Sequence, residues 1–188
     1  MILQSIQLKN WRNFYGENPK IHFATGKAQK LTIIHAANNA GKTNILNALT
    51  WLLYERLTPN FREPKQLINE QALRETEVGS TVACTVTCEF KHSGRNYRAA
   101  RAAYCKRLES VAGSYHHLAT KELKLLYQSD AGDWKTDPNP QITVNTIMPS
   151  AIHDLFFFDG EKIEQLADLD KSKEVLKKAI NSLLGLEI

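Results

Sequence analysis

The residues best able to do chemistry in this chain form one short segment with a lysine and a hydroxyl side by side. It reads Ala36-Ala37-Asn38-Asn39-Ala40-Gly41-Lys42-Thr43. Apart from alanine at its first position, this is the spacing of a phosphate-binding loop. In such a loop backbone N–H groups surround the phosphates, the lysine reaches the β- and γ-phosphates, and the hydroxyl binds Mg²⁺. The segment therefore predicts a site for ATP and Mg²⁺, with Lys42 as a catalytic residue and Thr43 as a metal ligand.

The flanks of this segment have the patterns of the strand and helix that hold such a loop. Residues 31–35 are a continuous apolar run, which predicts a central strand buried on both faces. Residues 44–53 carry apolar side chains at helical spacing, which predicts a helix directly after the loop. This order of elements brings the unpaired N–H groups of a helix N-terminus to the phosphates.

Two loop positions depart from the glycine that is common there. Ala36 would be strained if its position required a positive φ. Asn39 tolerates a positive φ better than most residues do. We expect the loop to form, because its composition, its flanks and the Lys-Thr pair agree.

The rest of the chain is mainly strand-like. Residues 2–8 alternate, residues 81–90 and 96–106 form a hairpin pattern, and residues 117–128 alternate again. Residues 80–135 thus predict an antiparallel insert of three or four strands. Residues 155–158, which are apolar, predict a buried strand, and a capped helix follows Asp170.

Composition sets limits on the class of protein. The 188 residues carry a net charge of +4, which permits a nucleic-acid partner without requiring one. Cys84, Cys88 and Cys105 form no CxxC pair, and we interpret them as reduced, at least half-buried thiols. The sequence has no apolar run of transmembrane length and starts without a signal-peptide pattern. We therefore expect a cytoplasmic protein with no membrane partner.

One predicted strand is rich in basic residues. It carries Arg95, Arg98, Arg101, Lys106 and Arg107 without an acidic residue between them. Such a strand could follow a phosphate backbone. Alternation, however, splits these charges between two faces, so a solvated strand face is the favoured interpretation.

A second candidate site follows residues 155–158. Asp159 and Glu161 come directly after this apolar run, as the acidic residues of a Walker B motif do. Asp159 would then hold Mg²⁺ through water and Glu161 would polarise the attacking water. The alternative is a core strand that ends in a polar turn.

Three segments give the chain a resemblance to a known family. They are Asn10-Trp11-Arg12-Asn13-Phe14, the loop through Asn44, and Phe156-Phe157-Phe158-Asp159-Gly160-Glu161-Lys162-Ile163. The chain resembles SMC-like ATPase heads and is most similar to the DndD-type ATPases of bacterial DNA sulfur (phosphorothioate) modification. The resemblance implies an α/β fold, that of a P-loop NTPase of the ABC/SMC type. The chain would form the N-terminal lobe of this fold, with an antiparallel β-rich insert.

The resemblance also implies a set of site residues. Asp159 falls at the position of the Q-loop, where it would contact the Mg²⁺ water shell, and Arg12 corresponds to an arginine beside the phosphates. The implied nucleotide-binding residues are Arg12, Asn13, Asn38, Asn39, Ala40, Gly41, Lys42, Thr43 and Asn44.

Under this resemblance, residues 1–188 are the N-terminal half of an ATPase head. The phosphate-loop core occupies residues 1–57, the β-rich lobe about 80–135, a Q-loop-like segment 155–165 and the start of a coiled coil 171–188. The sequence contains no Ser-Gly-Gly signature ahead of Asp159, which favours the Q-loop over a Walker B. The implied partners are the C-terminal half of the head, a second head in an ATP-dependent homodimer, DNA and other DNA sulfur-modification proteins.

The function predicted on these grounds is ATP hydrolysis in DNA sulfur modification or a related form of DNA maintenance or defence. Two alternatives stay open from the sequence. One is a complete simple P-loop NTPase or kinase that uses Asp159 and Glu161 as its Walker B. The other is a nucleotide-gated DNA-binding scaffold without significant hydrolysis.

Overall fold

The structure, a computed structural model, describes residues 1–26, 28, 30–38, 40–57, 67–108, 115–150, 153–157 and 177. These residues divide into two compact units, Met1–Pro140 and Gln141–Ile188. The four described helices are α1 Lys42–Tyr54, α2 Glu70–Glu75, α3 Pro140–Ile147 and α4 His153–Phe156. None of the described helices is long and apolar enough to cross a membrane.

Eight strands of the first unit form one sheet, and every described pairing between them is antiparallel. Their order is β2-β1-β4-β5-β7-β8, with β3 beside β1 and β6 beside β5. The strands are β1 Ile2–Trp11, β2 Phe14–Glu17, β3 Ile21–His22, β4 Thr81–His92, β5 Arg95–Arg107, β6 Tyr115–Thr120, β7 Lys124–Gln128 and β8 Trp134–Thr136.

The centre of the sheet is the β4–β5 hairpin. Its pairing runs without interruption from Thr81 and Lys106 to His92 and Arg95. The two turn residues, Ser93 and Gly94, both have positive φ, 48° and 82°. Such a turn matches the right-handed twist of the strands that it joins. The hairpin lies where the alternation of the sequence predicted it.

One face of the sheet forms the core with α1. Alternate residues of β4 point into it, among them Val86 and Phe90, both fully buried. Almost every residue of α1 from Ile45 to Tyr54 is also buried, so this helix is enclosed on most of its circumference. Burial raises the pKa of the Cys84 and Cys88 thiols to about 12.

All three cysteines are buried free thiols, as the sequence indicated. The strands predicted within residues 80–135 are present as β4 to β8, and they share one sheet with β1. The sequence pattern 117–128, interpreted as one strand, is two, β6 and β7. The division into phosphate-loop core, β-rich lobe, Q-loop-like segment and coiled-coil start stays a prediction.

The predicted central strand at residues 31–35 is wrong. The structure has no strand there, and Leu31, Ile33 and Ile34 are 75%, 79% and 40% exposed. The run pairs with none of the described strands. A strand needs a neighbour for its backbone groups, so apolar composition without a partner leaves the run extended and uncovered.

The strand predicted at residues 155–158 is also wrong where the structure describes it. His153–Phe156 form the short helix α4, in which Phe156 is 64% exposed, while the adjacent Phe157 is buried. A short apolar run fits either a strand or a turn of helix, because four residues are too few to show a period. Residue 158 and the predicted coiled-coil segment, apart from the helical Lys177, lie outside the described residues.

The basic strand divides between two faces, as alternation required. Arg101 points into the core with 4% exposure, whereas Arg98 lies exposed on the opposite face. Arg95 covers the ring of Tyr127, with 5.4 Å from its Cζ to the ring centroid. The five charges therefore do not form one surface.

Candidate nucleotide-binding site

The N-terminus of α1 is open to an anion. The helix begins at Lys42, and its N-cap is Gly41, with φ 105° and ψ 15°. No side chain caps the first N–H groups, and the first turn has no acidic residue. The first turn of a helix carries unpaired N–H donors and partial positive charge. The arrangement suits a phosphate group.

Lys42 lies across the loop that precedes this helix. Its exposed ammonium Nζ donates hydrogen bonds to the carbonyl oxygens of Ala36, at 2.7 Å, and Ala37, at 2.9 Å. Both bonds are to neutral carbonyls, and a phosphate oxygen is a stronger partner for an ammonium. The lysine is thus held at the loop by contacts that a phosphate could replace.

Ala36 needs no glycine at its position. The described non-glycine residues with positive φ are Asn10, Arg12, Glu55 and Ser93. Ala36 is described and has no positive φ, so the strain that its side chain could have caused does not arise. The departure from the loop pattern at its first position therefore costs the backbone nothing.

Asn13 packs against the loop from the β1–β2 turn. Its Nδ2 donates to the Ala40 carbonyl at 3.0 Å, and its Oδ1 accepts from Asn44 Nδ2 at 2.8 Å. A Cβ on Gly41 would lie 2.4 Å from Asn13 Nδ2, well inside contact distance. Gly41 is therefore favoured by its positive φ, and a larger residue there would also displace the Asn13 amide.

The turn that carries Asn13 is itself fixed by Asn69, a residue that the sequence reasoning missed. Asn69 donates through its backbone N–H to the Asn10 carbonyl at 2.8 Å and through Nδ2 to the Arg12 carbonyl at 2.6 Å. Its Oδ1 also caps α2, accepting from the N–H groups of Gln71 and Ala72. An asparagine ahead of Glu-Gln is an N-cap pattern, so its capping role was readable, although its contact with Arg12 was not.

Trp11 is a second residue that the sequence did not single out for a structural role. Its indole Nε1 donates to the Asn44 carbonyl at 2.9 Å, and its ring lies 4.9 Å from that of Trp51, centroid to centroid. Asn44 is in the first turn of α1. Trp11, at the end of β1, and Asn13, in the turn that follows, thus both contact the start of the helix.

The structure brings most of the predicted loop residues together. Asn13, Ala40, Gly41, Lys42 and Asn44 form one connected group through the contacts given above. Thr43 follows Lys42 and is exposed, and so is Asn38 in the loop. Half-buried Arg12 has positive φ, 51°. Their roles toward a nucleotide stay predictions, and Asn39, Asp159 and Glu161 lie outside the described residues.

A magnesium ion would find a suitable ligand in Thr43, because Mg²⁺ prefers hard oxygen donors. Within the described residues, no group of three or more His, Cys, Asp or Glu side chains could hold a metal ion. Mg²⁺ in such sites keeps several waters and is bound largely by phosphate oxygens. Thr43 would therefore act together with the nucleotide.

Comparison with known proteins identifies the family. Residues 5–187 match the AAA domain family. The chain belongs to this family. A segment of 58 residues is 43% identical to an ATP/GTP phosphatase of Helicobacter pylori. The matched segment covers 31% of this chain and 14% of that protein. A solved structure from work on ATP-driven dimerization and DNA-stimulated activation of SMC ATPases is similar with a TM-score of 0.48 at 16% identity, over 89% of this chain and 98% of that one.

Membership of this family supports the predicted fold class, an α/β phosphate-loop NTPase. The chain spans about a seventh of the curated relative that it matches. The activity of the whole protein, its pathway and its partners are taken up as proposals.

Proposed function

We propose that this chain is the N-terminal half of an SMC-like ATPase head that binds ATP with Mg²⁺ at residues 36–43. Hydrolysis would require the C-terminal half of the head and a second head. We further propose that the protein acts on DNA in sulfur modification of the DndD type or in related DNA maintenance or defence. The run Phe156 to Ile163 carries the DndD resemblance.

The observation that carries the proposal is the geometry at the start of α1. An uncapped helix N-terminus, a glycine contacted by Asn13, and an ammonium that donates to two loop carbonyls meet within one loop. Phosphoryl transfer needs little covalent chemistry from the protein, because positioning and charge stabilisation supply most of the catalysis. Each of these features serves one of those two tasks.

The proposed roles follow from this placement. Lys42 would exchange its loop carbonyls for the β- and γ-phosphate oxygens, and Thr43 would bind Mg²⁺. The backbone N–H groups from Asn38 to Asn44 would bind phosphate oxygens, with Arg12 beside them. Asp159, at the proposed Q-loop position, would contact the metal's water shell and respond to the γ-phosphate.

The exposed run at residues 31–35 supports a partner half. Its apolar side chains Leu31 and Ile33 are more than two-thirds exposed, although the run leads directly into the phosphate loop. In a complete head a strand from the C-terminal half would pair with this run and cover it. Pairing would also fix the loop from its N-terminal side, as α1 fixes it from the other.

The face of the sheet opposite α1 supports DNA as a partner. A groove of about 620 Å³ there is lined by Lys20, Arg98 and Lys124 around a single carboxylate, Glu89. Arg98 also lies over the Trp134 ring, 4.1 Å from Cζ to centroid. Three cations against one carboxylate favour a polyanion, and the exposed tryptophan adds a surface on which a base can stack.

The proposal is tested by titrating the purified chain with ATP, with and without Mg²⁺, and by measuring phosphate release. We expect ATP to bind, Lys42→Ala to lose most of the affinity, and phosphate release to be very slow until the C-terminal half is added. Absence of ATP binding by the folded chain would contradict the site. Fast, Lys42-dependent turnover by the chain alone would contradict the half-head and favour a complete simple NTPase.

A further inference from the structure

Arg101 is a buried charge that the nucleotide site does not yet explain. Its side chain is 3% exposed, and it stands on the core face of β5 between Ala99 and Ala103, which are both buried. Burial lowers the pKa of the guanidinium, against the opposing effect of Glu55. A charge is costly to remove from water unless its donors are well paired. The contacts that pair it therefore indicate what it does.

Two of those contacts lie at one end of α1. Arg101 Nε donates to the Leu52 carbonyl at 2.9 Å, and Nη1 donates to Glu55 Oε2 at 3.0 Å. Leu52 is in the last turn of α1, where carbonyls have no N–H partner within the helix. Glu55, the C-cap, has φ 57° and ψ 30° and donates its own N–H to the Trp51 carbonyl at 2.9 Å. The guanidinium thus caps the helix C-terminus, where a cation is also favoured by the helix dipole.

The capped helix is the one that begins at the phosphate loop. α1 has 13 residues, so its two ends are about 20 Å apart. Trp11 and Asn13 hold its start, through Asn44 and Ala40, and Arg101 holds its end. The core around α1 is mainly apolar, with Asn47 and Thr50 buried among the apolar side chains of the helix. Close packing restricts the helix in part, and the hydrogen bonds at its two ends add a directional constraint on its axial position.

We propose that Arg101 is a positioning residue for the nucleotide site. By fixing the C-terminus of α1 on β5, it sets the axial position at which the first-turn N–H groups and Lys42 meet the phosphates. The inference rests on the proposed function, since it assumes that ATP binds at the start of α1.

The test uses two variants of Arg101 in the full chain. Arg101→Met keeps the length of the side chain and removes both bonds, while Arg101→Lys keeps the charge and can make one of them. The control is Leu125→Ala, a fully buried core position on β7, which should lower the melting temperature by leaving a cavity without removing a bond to α1. The melting temperature and the ATP affinity are measured for each variant. The affinity is measured at a temperature well below the lowest of the melting temperatures.

We expect Arg101→Met to weaken ATP binding roughly tenfold and Arg101→Lys by less, because small misplacements at a reacting site have large effects. Leu125→Ala should lower the melting temperature and leave the affinity of the folded protein unchanged. Native-state hydrogen exchange should show faster exchange in Arg101→Met at the Ile45 and Glu55 amides, which bond the Gly41 and Trp51 carbonyls, with the β4–β5 hairpin amides unaffected. Where Arg101→Met does not fold, the same readouts on Arg101→Lys decide the question.

Wild-type affinity in a folded Arg101→Met or, failing that, Arg101→Lys variant would overturn the inference, whatever its melting temperature. That outcome differs from failure of the proposed function. In the latter case the wild-type chain itself would show no ATP binding that depends on Lys42.

Discussion

The two ends of α1 are treated in opposite ways by the rest of the molecule. At the C-terminal end, the Trp51 carbonyl bonds the Glu55 N–H, and the Leu52 carbonyl bonds Arg101. At the N-terminal end, no side chain caps the helix and no acidic residue lies in the first turn. The Trp51 and Leu52 carbonyls at the C-terminal end thus have partners in the protein. The first N–H groups at the N-terminal end have no side-chain cap.

This difference separates two tasks that a binding helix must perform. A helix that is fully satisfied at both ends would be stable but would have nothing to offer a ligand. A helix that is open at both ends would have donors but a poorly fixed position. Neighbouring side chains such as Asn13 hold the open end from the side, through the loop carbonyl of Ala40, and leave the N–H groups in front of it uncovered.

The largest change should come from removing the cation at the open end. Lys42→Ala is expected to weaken ATP binding by about 100-fold, because charge-assisted bonds to phosphate are among the strongest available, at about 1.5–3 kcal/mol each. The fold should be unaffected, since the two bonds of Lys42 are exposed. Calorimetric titration measures the affinity, and near-normal binding by the folded variant would remove the phosphate-loop assignment.

A smaller but clear change should follow from adding a side chain at Gly41, the N-cap of α1. Gly41→Ala places a Cβ 2.4 Å from Asn13 Nδ2 at a positive φ, so we expect a loss of about 1–3 kcal/mol in loop stability, with weaker ATP binding. Asn13→Ala combined with Gly41→Ala removes the clash and leaves the strain. The double variant should therefore bind ATP better than Gly41→Ala alone. If it binds no better, the clash with Asn13 is not the cause.

Removing the ion pair between Glu55 and Arg101 at the C-terminus of α1 should have a modest effect on stability and on ATP affinity. Its carboxylate is half exposed, so the free energy of unfolding should fall by about 0.5–1 kcal/mol in Glu55→Gln. The bond from Arg101 to Leu52 remains, and ATP affinity should stay within about twofold of wild type. Urea denaturation and the same titration measure both quantities. A tenfold loss of affinity would show that the ion pair, and not the carbonyl bond, positions the helix.

The smallest change is expected at the first loop position. Ala36→Gly should alter ATP affinity by less than about twofold, since the backbone there has no positive φ and the carbonyl that accepts from Lys42 is kept. Glycine adds freedom to the unbound loop at a cost of about 0.4 kcal/mol, the low end of the usual range, because the loop is exposed. A marked loss of affinity without unfolding would mean that the Ala36 methyl group packs against the bound nucleotide.

The sequence predicted what is local in this molecule. The β4–β5 hairpin follows from alternation and a two-residue turn, and α1 follows from a helical stripe after the Gly-Lys-Thr segment. The prediction of a phosphate loop likewise depends on eight consecutive residues. Each of these depends on neighbours in the chain, and a pattern in one window can show them.

The contacts that hold the loop in place were not predictable in the same way. Trp11 bonds Asn44 across 33 positions, Asn69 bonds Arg12 across 57, and Arg101 bonds Leu52 across 49. Nothing in a local window shows which distant side chain meets which carbonyl. The prediction for residues 31–35 failed for a related reason, because composition shows that a run favours burial and does not show whether a neighbouring strand is present.

The exposed run at residues 31–35 sets a condition on the production of this protein in the cell. An uncovered apolar segment with free backbone donors and acceptors can pair with any other extended chain, including a second copy of itself. Translation proceeds at about 5–20 residues per second, so in the proposed complete head this segment would wait many seconds for a covering strand from the C-terminal half. During that time a chaperone that shields extended apolar chains would determine the yield of native protein, and a charged residue in place of Ile33 would raise the yield of the isolated chain.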